Sequence, residues 1–160
     1  MNPAARSELL IKYAKGPAVL RATVEGYPKD SLEFKPGPGK WSVQDIVLHL
    51  AETEVHFYLR GRTIIAEPGG GVNAFDQDRW AGSLDVGAQP VGEALELVRL
   101  LREMMARQLR SLPEQAWEQF AVHSAKGRIT LEQWLEGAVG HLDTHLAQLD
   151  RTHKAFQAAK

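Results

Sequence analysis

The sequence contains no cysteine among its 160 residues. This absence excludes disulfides, thiolate metal sites, iron–sulfur clusters and a cysteine nucleophile. Neither sign of charge is in excess, since 19 Lys and Arg residues stand against 20 Asp and Glu residues, so we expect no binding to nucleic acid or to an anionic membrane surface. Long apolar runs are also missing, because no stretch approaches the roughly 18 residues of a membrane span. We therefore expect a soluble, cytoplasmic protein whose metal ligands, where it has them, are imidazole or carboxylate groups.

Four segments of the chain have apolar residues at helical spacing. The second and fourth begin at capping-box sequences, Ser42 with Asp45 and Thr130 with Gln133. Pro17 falls inside the first segment and predicts one kinked helix or two short ones. No segment has a convincing sheet pattern, so we predict an all-α fold, a four-helix bundle. The predicted helices cover approximately residues 4–25, 42–67, 91–112 and 130–155.

The connections between these helices are uneven in length, although the whole length suits a single domain over residues 1–160. The connection at 69–89 exceeds the roughly 12–15 residues beyond which a loop usually carries function. Phe75 and Trp80 argue against disorder there, and they either wall a pocket or plug the end of the bundle. Residues 113–128 are ambiguous, with a short extended piece as one interpretation.

The helical spacing also assigns residues of the second and third helices to faces away from the main apolar stripes. Arg102 is assigned to an outward side of the third helix, away from its apolar stripe. Leu48, Val55 and Leu59 lie off the main apolar stripe of the second helix. This surplus of apolar side chains needs burial, either against a partner surface or against the kinked first helix.

The histidines of the last and second helices are the strongest candidates for chemistry. His141 and His145 are four residues apart, so both rings project from one helix face, at the edge of its apolar stripe. Two partly buried histidines bonded to neighbours explain this pair as well as metal ligation does. His49 flanks the apolar stripe of the second helix, where a lone histidine is more often a satisfied core residue. Facing the pair, however, it would complete three imidazoles around zinc or another divalent ion with an open coordination position.

Other polar or small residues near these histidines have weaker readings. His56 is either an alternative ligand or a histidine at the core edge, and Glu52 is either a general base or a solvated side chain. Gly137 and Gly140 each cost about 1 kcal/mol in a helix relative to alanine, which the close approach of another element or of a ligand would explain. No role is assigned to His123 or His153.

The order of these motifs along the chain is that of a known family. The motifs are Trp41-Ser42, Asp45, the run His49-Leu50-Ala51-Glu52, the aromatic stretch at 75–80 and the pair His141-x3-His145. Together they resemble the DinB-like (DinB/YfiT) metal-binding bundles. The resemblance implies an up-down-down-up four-helix bundle with a long connection between helices two and three, commonly a homodimer. Carried over by motif, the metal ligands are His49, His141 and His145.

The same resemblance implies a function. Members with known activity resemble thiol-dependent S-transferases, so the first expectation is a transferase whose zinc or nickel ion activates a small thiol cosubstrate. Because this chain lacks cysteine, the low-molecular-weight thiol arrives from outside, together with a small-molecule substrate. The alternatives are a metal-dependent hydrolase that activates water, and a non-catalytic protein that binds a metal or a small molecule. Fold similarity alone does not separate them.

Overall fold

The computed structural model describes residues 1–84 and 89–160. Each of the long helices α1 and α2 packs against both α4 and α5, which confirms the predicted four-helix bundle. Within the described residues, no helix has the length and apolar character that crossing a membrane requires. The helices are α1 (Pro3–Glu25), α2 (Val43–Ala66), α3 (Gln77–Ser83), α4 (Val91–Arg110) and α5 (Leu131–Ala158), and the strands are β1 (Gly71–Val72), β2 (Phe120–His123) and β3 (Gly127–Thr130).

Helix α1 is one continuous helix that contains Pro17. Its packing depends on the preceding residue, Gly16, which is buried between α4 and α5. A Cβ atom at Gly16 would lie 2.6 Å from Leu142 Cδ2 and 2.7 Å from Arg102 Nη1. A side chain there would therefore require Leu142 and Arg102 to shift or α1 to move away from them.

The starts of α2 and α5 are fixed by the predicted capping boxes. Ser42 Oγ accepts a hydrogen bond from the Asp45 backbone N–H (3.1 Å), and the Asp45 carboxylate accepts one from the Ser42 N–H (2.9 Å). Thr130 and Gln133 form the same reciprocal pair at α5. Each box satisfies two amides that the helix itself leaves without acceptors.

The prediction of no sheet is wrong. Strands β1, β2 and β3 form a small sheet in which β1 is parallel to β2 and β2 is antiparallel to β3. Strand β1 has two residues, too few to show alternation. Helix α3 is also new, and at seven residues it is too short for a helical period to stand out. Residues 85–88 of the predicted long connection lie outside the described residues.

Arg102 is the clearest error in the predicted helix faces. Its side chain is 1% exposed and lies inside the bundle. Its Nε donates to Glu54 Oε2 (2.8 Å) and its Nη2 donates to the Ala138 carbonyl (3.0 Å). Glu54 is equally buried and also accepts from the Tyr13 hydroxyl (3.0 Å). A charged side chain can be buried when it pairs with an opposite charge on another helix. The apolar spacing of one helix cannot reveal such a pair.

The apolar residues that lie off the main stripe of α2 differ in their burial. Leu48 is buried and belongs to the core cluster that includes Leu20 and Val24 of α1. Val55 and Leu59 remain exposed, the latter at 62%. The homodimer that would cover them stays a prediction.

Candidate metal centre

The structure brings the three sequence-predicted histidines together; we call them the histidine cluster. Helix α2 presents His49, while α5 presents His141 and His145 at adjacent turns. The ring centroids of His141 and His145 are 4.5 Å apart, and His49 lies 5.3 Å and 4.8 Å from them. One nitrogen from each ring can be chosen so that all three lie within 4.8 Å of one another.

The chemistry of this donor set fits a divalent metal ion. Zinc–imidazole bonds of about 2.0–2.1 Å in a tetrahedron place two ligand nitrogens about 3.3 Å apart. The Nε2 atoms of His49 and His141 are 3.3 Å apart. Three imidazoles around one ion also leave a coordination position open, as catalytic zinc sites do.

Burial keeps these imidazoles neutral. It lowers the pKa of His49 to about 4, with the nearby His145 adding to the effect. It lowers the pKa of His141 to about 3, with His145 and His49 contributing next. The pKa of His145 is also lowered by burial, against a smaller opposing effect of its hydrogen bond to Gln148. Neutral rings have the free lone pairs that a metal ion requires.

Three neighbours orient the cluster. The Trp41 ring lies 4.9 Å from that of His49, and the Phe57 ring lies 5.6 Å from that of His141. His145 Nδ1 is 2.7 Å from Gln148 Oε1, which can only accept. The hydrogen-bond network therefore assigns the proton to Nδ1 and leaves Nε2 of His145 free as a ligand atom.

A small cavity of about 90 Å³ opens beside His49. Glu52 lines it one helical turn after His49, and burial raises the pKa of this carboxyl group. Asp45 also lines it, but its carboxylate is engaged by Ser42 and by Lys35 (3.1 Å). Of the two acids, Glu52 is therefore the one available for proton transfer.

The long connection reaches this cavity through Ala81 of α3, in agreement with a wall for the pocket. Its two aromatic residues lie elsewhere. Phe75 stacks on His56 with ring centroids 4.0 Å apart, and Trp80 meets the same ring edge-on at 4.9 Å. His56 thus anchors the connection to α2 and is not part of the histidine cluster.

The structure explains the two remaining histidines but not the two glycines that precede the histidine pair. His123 Nδ1 accepts the backbone N–H groups of Ala125 and Lys126 in the β2–β3 turn, and His153 stacks on Tyr27. Gly137 and Gly140 are exposed, and a Cβ atom on either would touch nothing closer than 3.9 Å. The close approach expected there is therefore absent, and the described structure does not explain these glycines.

Comparison with known proteins assigns the family. Residues 12–149 match the sequence model of the DinB superfamily. The chain belongs to the DinB superfamily. YfiT of Bacillus subtilis is 28% identical over 134 residues, which cover 83% of this chain and 75% of YfiT. A Bacillus licheniformis relative is 26% identical over 141 residues, covering 88% of this chain and 80% of that protein. Both are designated candidate metal-dependent hydrolases.

Two solved structures support the DinB-superfamily fold. YfiT, described as having an unusual four-helix bundle topology, superposes with a TM-score of 0.90 at 23% identity, over 98% of this chain and 90% of that chain. The DinB-like protein YjoA of B. subtilis gives a TM-score of 0.62 at 16% identity, over 94% of this chain and 92% of its own. At these identities the likeness shows the fold alone. The thiol transferase expected first finds no support in the relatives' designations, which agree better with the hydrolase alternative.

Proposed function

We propose that this protein is a metal-dependent hydrolase whose zinc or nickel ion is held by His49, His141 and His145. One observation carries the proposal: one buried and two half-buried neutral imidazoles converge, with 3.3 Å between two of their Nε2 atoms. The designation of relatives as metal-dependent hydrolases supports the same function. The substrate is a small molecule that enters beside the histidine cluster.

The residues around the cluster have defined tasks in this proposal. His49, His141 and His145 would hold the divalent ion, which would supply Lewis-acid chemistry that lowers the pKa of water toward 7. Glu52 accepts a proton on its carboxylate, because it lines the same cavity as His49 and its pKa is raised toward the working range of a general base. Gln148 keeps the His145 proton on Nδ1. Trp41 and Ala81 narrow the cavity and limit the access of bulk water.

Metal analysis after loading with zinc or nickel tests the ligand set. We expect about one ion per chain in the wild type and loss of that ion in His49→Ala and His145→Ala. His153→Ala is the matched control, because His153 lies on the same helix as His145 but stacks on Tyr27. The assignment would be contradicted if the wild type bound no metal, or if His49→Ala and His145→Ala retained metal as well as the control does.

Turnover then separates the three function classes. The loaded protein is offered a panel of chromogenic esters and amides without thiol, and separately a chloro-aromatic electrophile with each small thiol. Hydrolysis that needs metal but no thiol supports the proposal. Turnover that requires an added thiol would establish the transferase instead, and bound metal with no turnover in either assay would favour a binding protein.

A further inference from the structure

A second cavity, of about 400 Å³, lies beside the histidine cluster. The loop at 36–40 lines one side of it and α5 lines the other. Two of its lining residues also touch the cluster. The Trp41 ring is nearly parallel to that of His145, with 6.3 Å between centroids, and Gln148 accepts a hydrogen bond from the same histidine. A molecule in this cavity would therefore contact side chains that pack directly on the proposed ligands.

The polar lining of this cavity is cationic. Lys40 and Arg151 both line it, and the described lining residues include no acid. Neither charged group has an ion-pair or hydrogen-bond partner in the described parts of the chain. Asp150, the acid next to Arg151 in sequence, is already paired with Lys154 at 2.7 Å. The charges facing the cavity are therefore two uncompensated cations.

Gln148 adds donors to the same cavity. Its Oε1 atom accepts from His145 Nδ1, and its amide N–H groups have no hydrogen-bond partner within the described residues. An ammonium, a guanidinium and an amide N–H group can all donate, and none of them can accept. These donors complement the oxygens of an anion, and Thr152, which also lines the cavity, adds a hydroxyl that can donate or accept.

We propose that this cavity binds the carboxylate of a small-molecule substrate, with Lys40 and Arg151 as its specificity-determining residues. The inference rests on the proposed function, because it names the substrate class of that site, but carboxylate binding itself needs no metal. Hydrogen bonds from cationic donors to carboxylates are roughly twice as strong as those between neutral groups. The carboxylate end would lie between the loop and α5, and the reacting bond would extend toward the histidine cluster.

Binding of a matched probe pair to the metal-stripped, full-length protein tests the inference. The probes are glutarate and its neutral diamide, glutaramide, and binding is followed by NMR titration. We expect glutarate to bind the wild type about tenfold more tightly than glutaramide. The Lys40→Ala/Arg151→Ala variant should lose this preference. Raising the salt concentration from about 0.05 M to about 0.5 M should reduce it in the wild type, because exposed charges are screened.

A second double variant controls for net charge. Lys29→Ala/Arg107→Ala removes one lysine and one arginine that are exposed and do not line the cavity, so it should retain the wild-type preference. Equal binding of the two probes to the wild type, or an equal loss of preference in both double variants, would overturn the inference. If the preference holds while the metal analysis fails, carboxylate binding stands and the hydrolase proposal falls.

Discussion

Two polar clusters, one buried and one partly buried, lie close together along α2, and their side chains are paired in different ways. The first is the ion-pair cluster of Tyr13, Glu54 and Arg102; the second is the histidine cluster, whose His49 precedes Glu54 on the same helix. In the ion-pair cluster, both Glu54 oxygens accept hydrogen bonds, at 3.0 Å and 2.8 Å. The Arg102 guanidinium lies over the Tyr13 ring, 4.6 Å from its centroid. Opposite charges pair here and join three helices, while Arg102 Nη1 alone among these groups is buried without a hydrogen-bond partner in the described residues.

The histidine cluster instead brings together three groups of the same kind. No carboxylate within the described residues hydrogen-bonds to these rings, and burial lowers the pKa of each one. The Nε2 atoms of His49 and His141 lie 3.3 Å apart, and the Thr53 hydroxyl lies 3.5 Å and 3.4 Å from the two ring nitrogens of His49. The difference shows how buried polar groups can be sorted. A cluster closed by its own donors and acceptors supports the fold, and a cluster of converging acceptors is suited to a cation.

Breaking the ion-pair cluster should have the largest effect on stability. Arg102→Met leaves the Glu54 carboxylate buried without its cation, and we expect a loss of about 3–5 kcal/mol in the free energy of unfolding. Urea denaturation of the metal-free protein measures it. Glu54→Gln/Arg102→Met removes both charges but keeps an oxygen acceptor for the Tyr13 hydroxyl, so it should recover part of the loss, since it leaves no unpaired buried charge.

The matched control for that variant is Arg99→Met on the same helix. Arg99 pairs with Glu96 and Glu103 at the surface, where an ion pair is worth about 0–1 kcal/mol. If Arg102→Met were no more costly than Arg99→Met, the ion-pair cluster would not be supporting the fold. The contrast drawn with the histidine cluster would then disappear.

Acid should destabilise the metal-free protein through the histidine cluster. The folded-state pKa of His49 is about 4 and that of His141 about 3, both below the ordinary value of 6.5. As the pH falls below about 6.5, the unfolded chain therefore binds protons that the folded chain does not. The free energy of unfolding should fall by up to about 1.4 kcal/mol per pH unit for each such histidine. Above about pH 6.5 these histidines are neutral in both the folded and the unfolded chain, so they no longer make stability depend on pH.

A variant measures how much the histidine cluster contributes to the dependence of the free energy of unfolding on pH. Burial also lowers the pKa values of His56 and His123, so they add to the acid sensitivity of the wild type. His141→Leu should have a shallower slope between about pH 6.5 and pH 4, because it removes one histidine of depressed pKa. Denaturation at a series of pH values in the presence of a chelator measures both proteins. Identical slopes would show that the cluster does not titrate as buried imidazoles.

The helices were predictable because their determinants are local. The capping boxes at Ser42 and Thr130 and the apolar spacing of each segment lie within a few residues of the structure that they specify. Strand β1 depends on β2, about fifty residues later, and its two residues have no strand pattern of their own. The burial of Arg102 likewise depends on Glu54 of another helix. Such long-range pairings leave no trace in the periodicity of either segment.

The candidate site could likewise be predicted only where its determinants are local in sequence. His141 and His145 share a helix face by spacing alone, whereas His49 was only a possible third ligand from its place beside an apolar stripe until the family resemblance assigned it. The hydrogen bond from His145 to Gln148, three residues later, could have been suspected from helical spacing. The cavity beside them could not, because it depends on how the loop at 36–40 lies against α5. Local patterns thus locate candidate ligands, and tertiary packing decides what surrounds them.

The smallest predicted effect concerns the hydrogen bond between the histidine cluster and Gln148. Gln148→Leu removes the acceptor for His145 Nδ1–H, and we expect a roughly tenfold loss of metal affinity, measured by competition with a chromogenic chelator. Gln148→Glu keeps an acceptor and makes the imidazole more basic, so it should bind the ion at least as tightly as the wild type. Gln157→Leu, an exposed change further along α5, is the matched control. If Gln148→Leu and Gln157→Leu bind metal equally well, this hydrogen bond does not orient the ligand, and the packing of the neighbouring rings holds His145 in place instead.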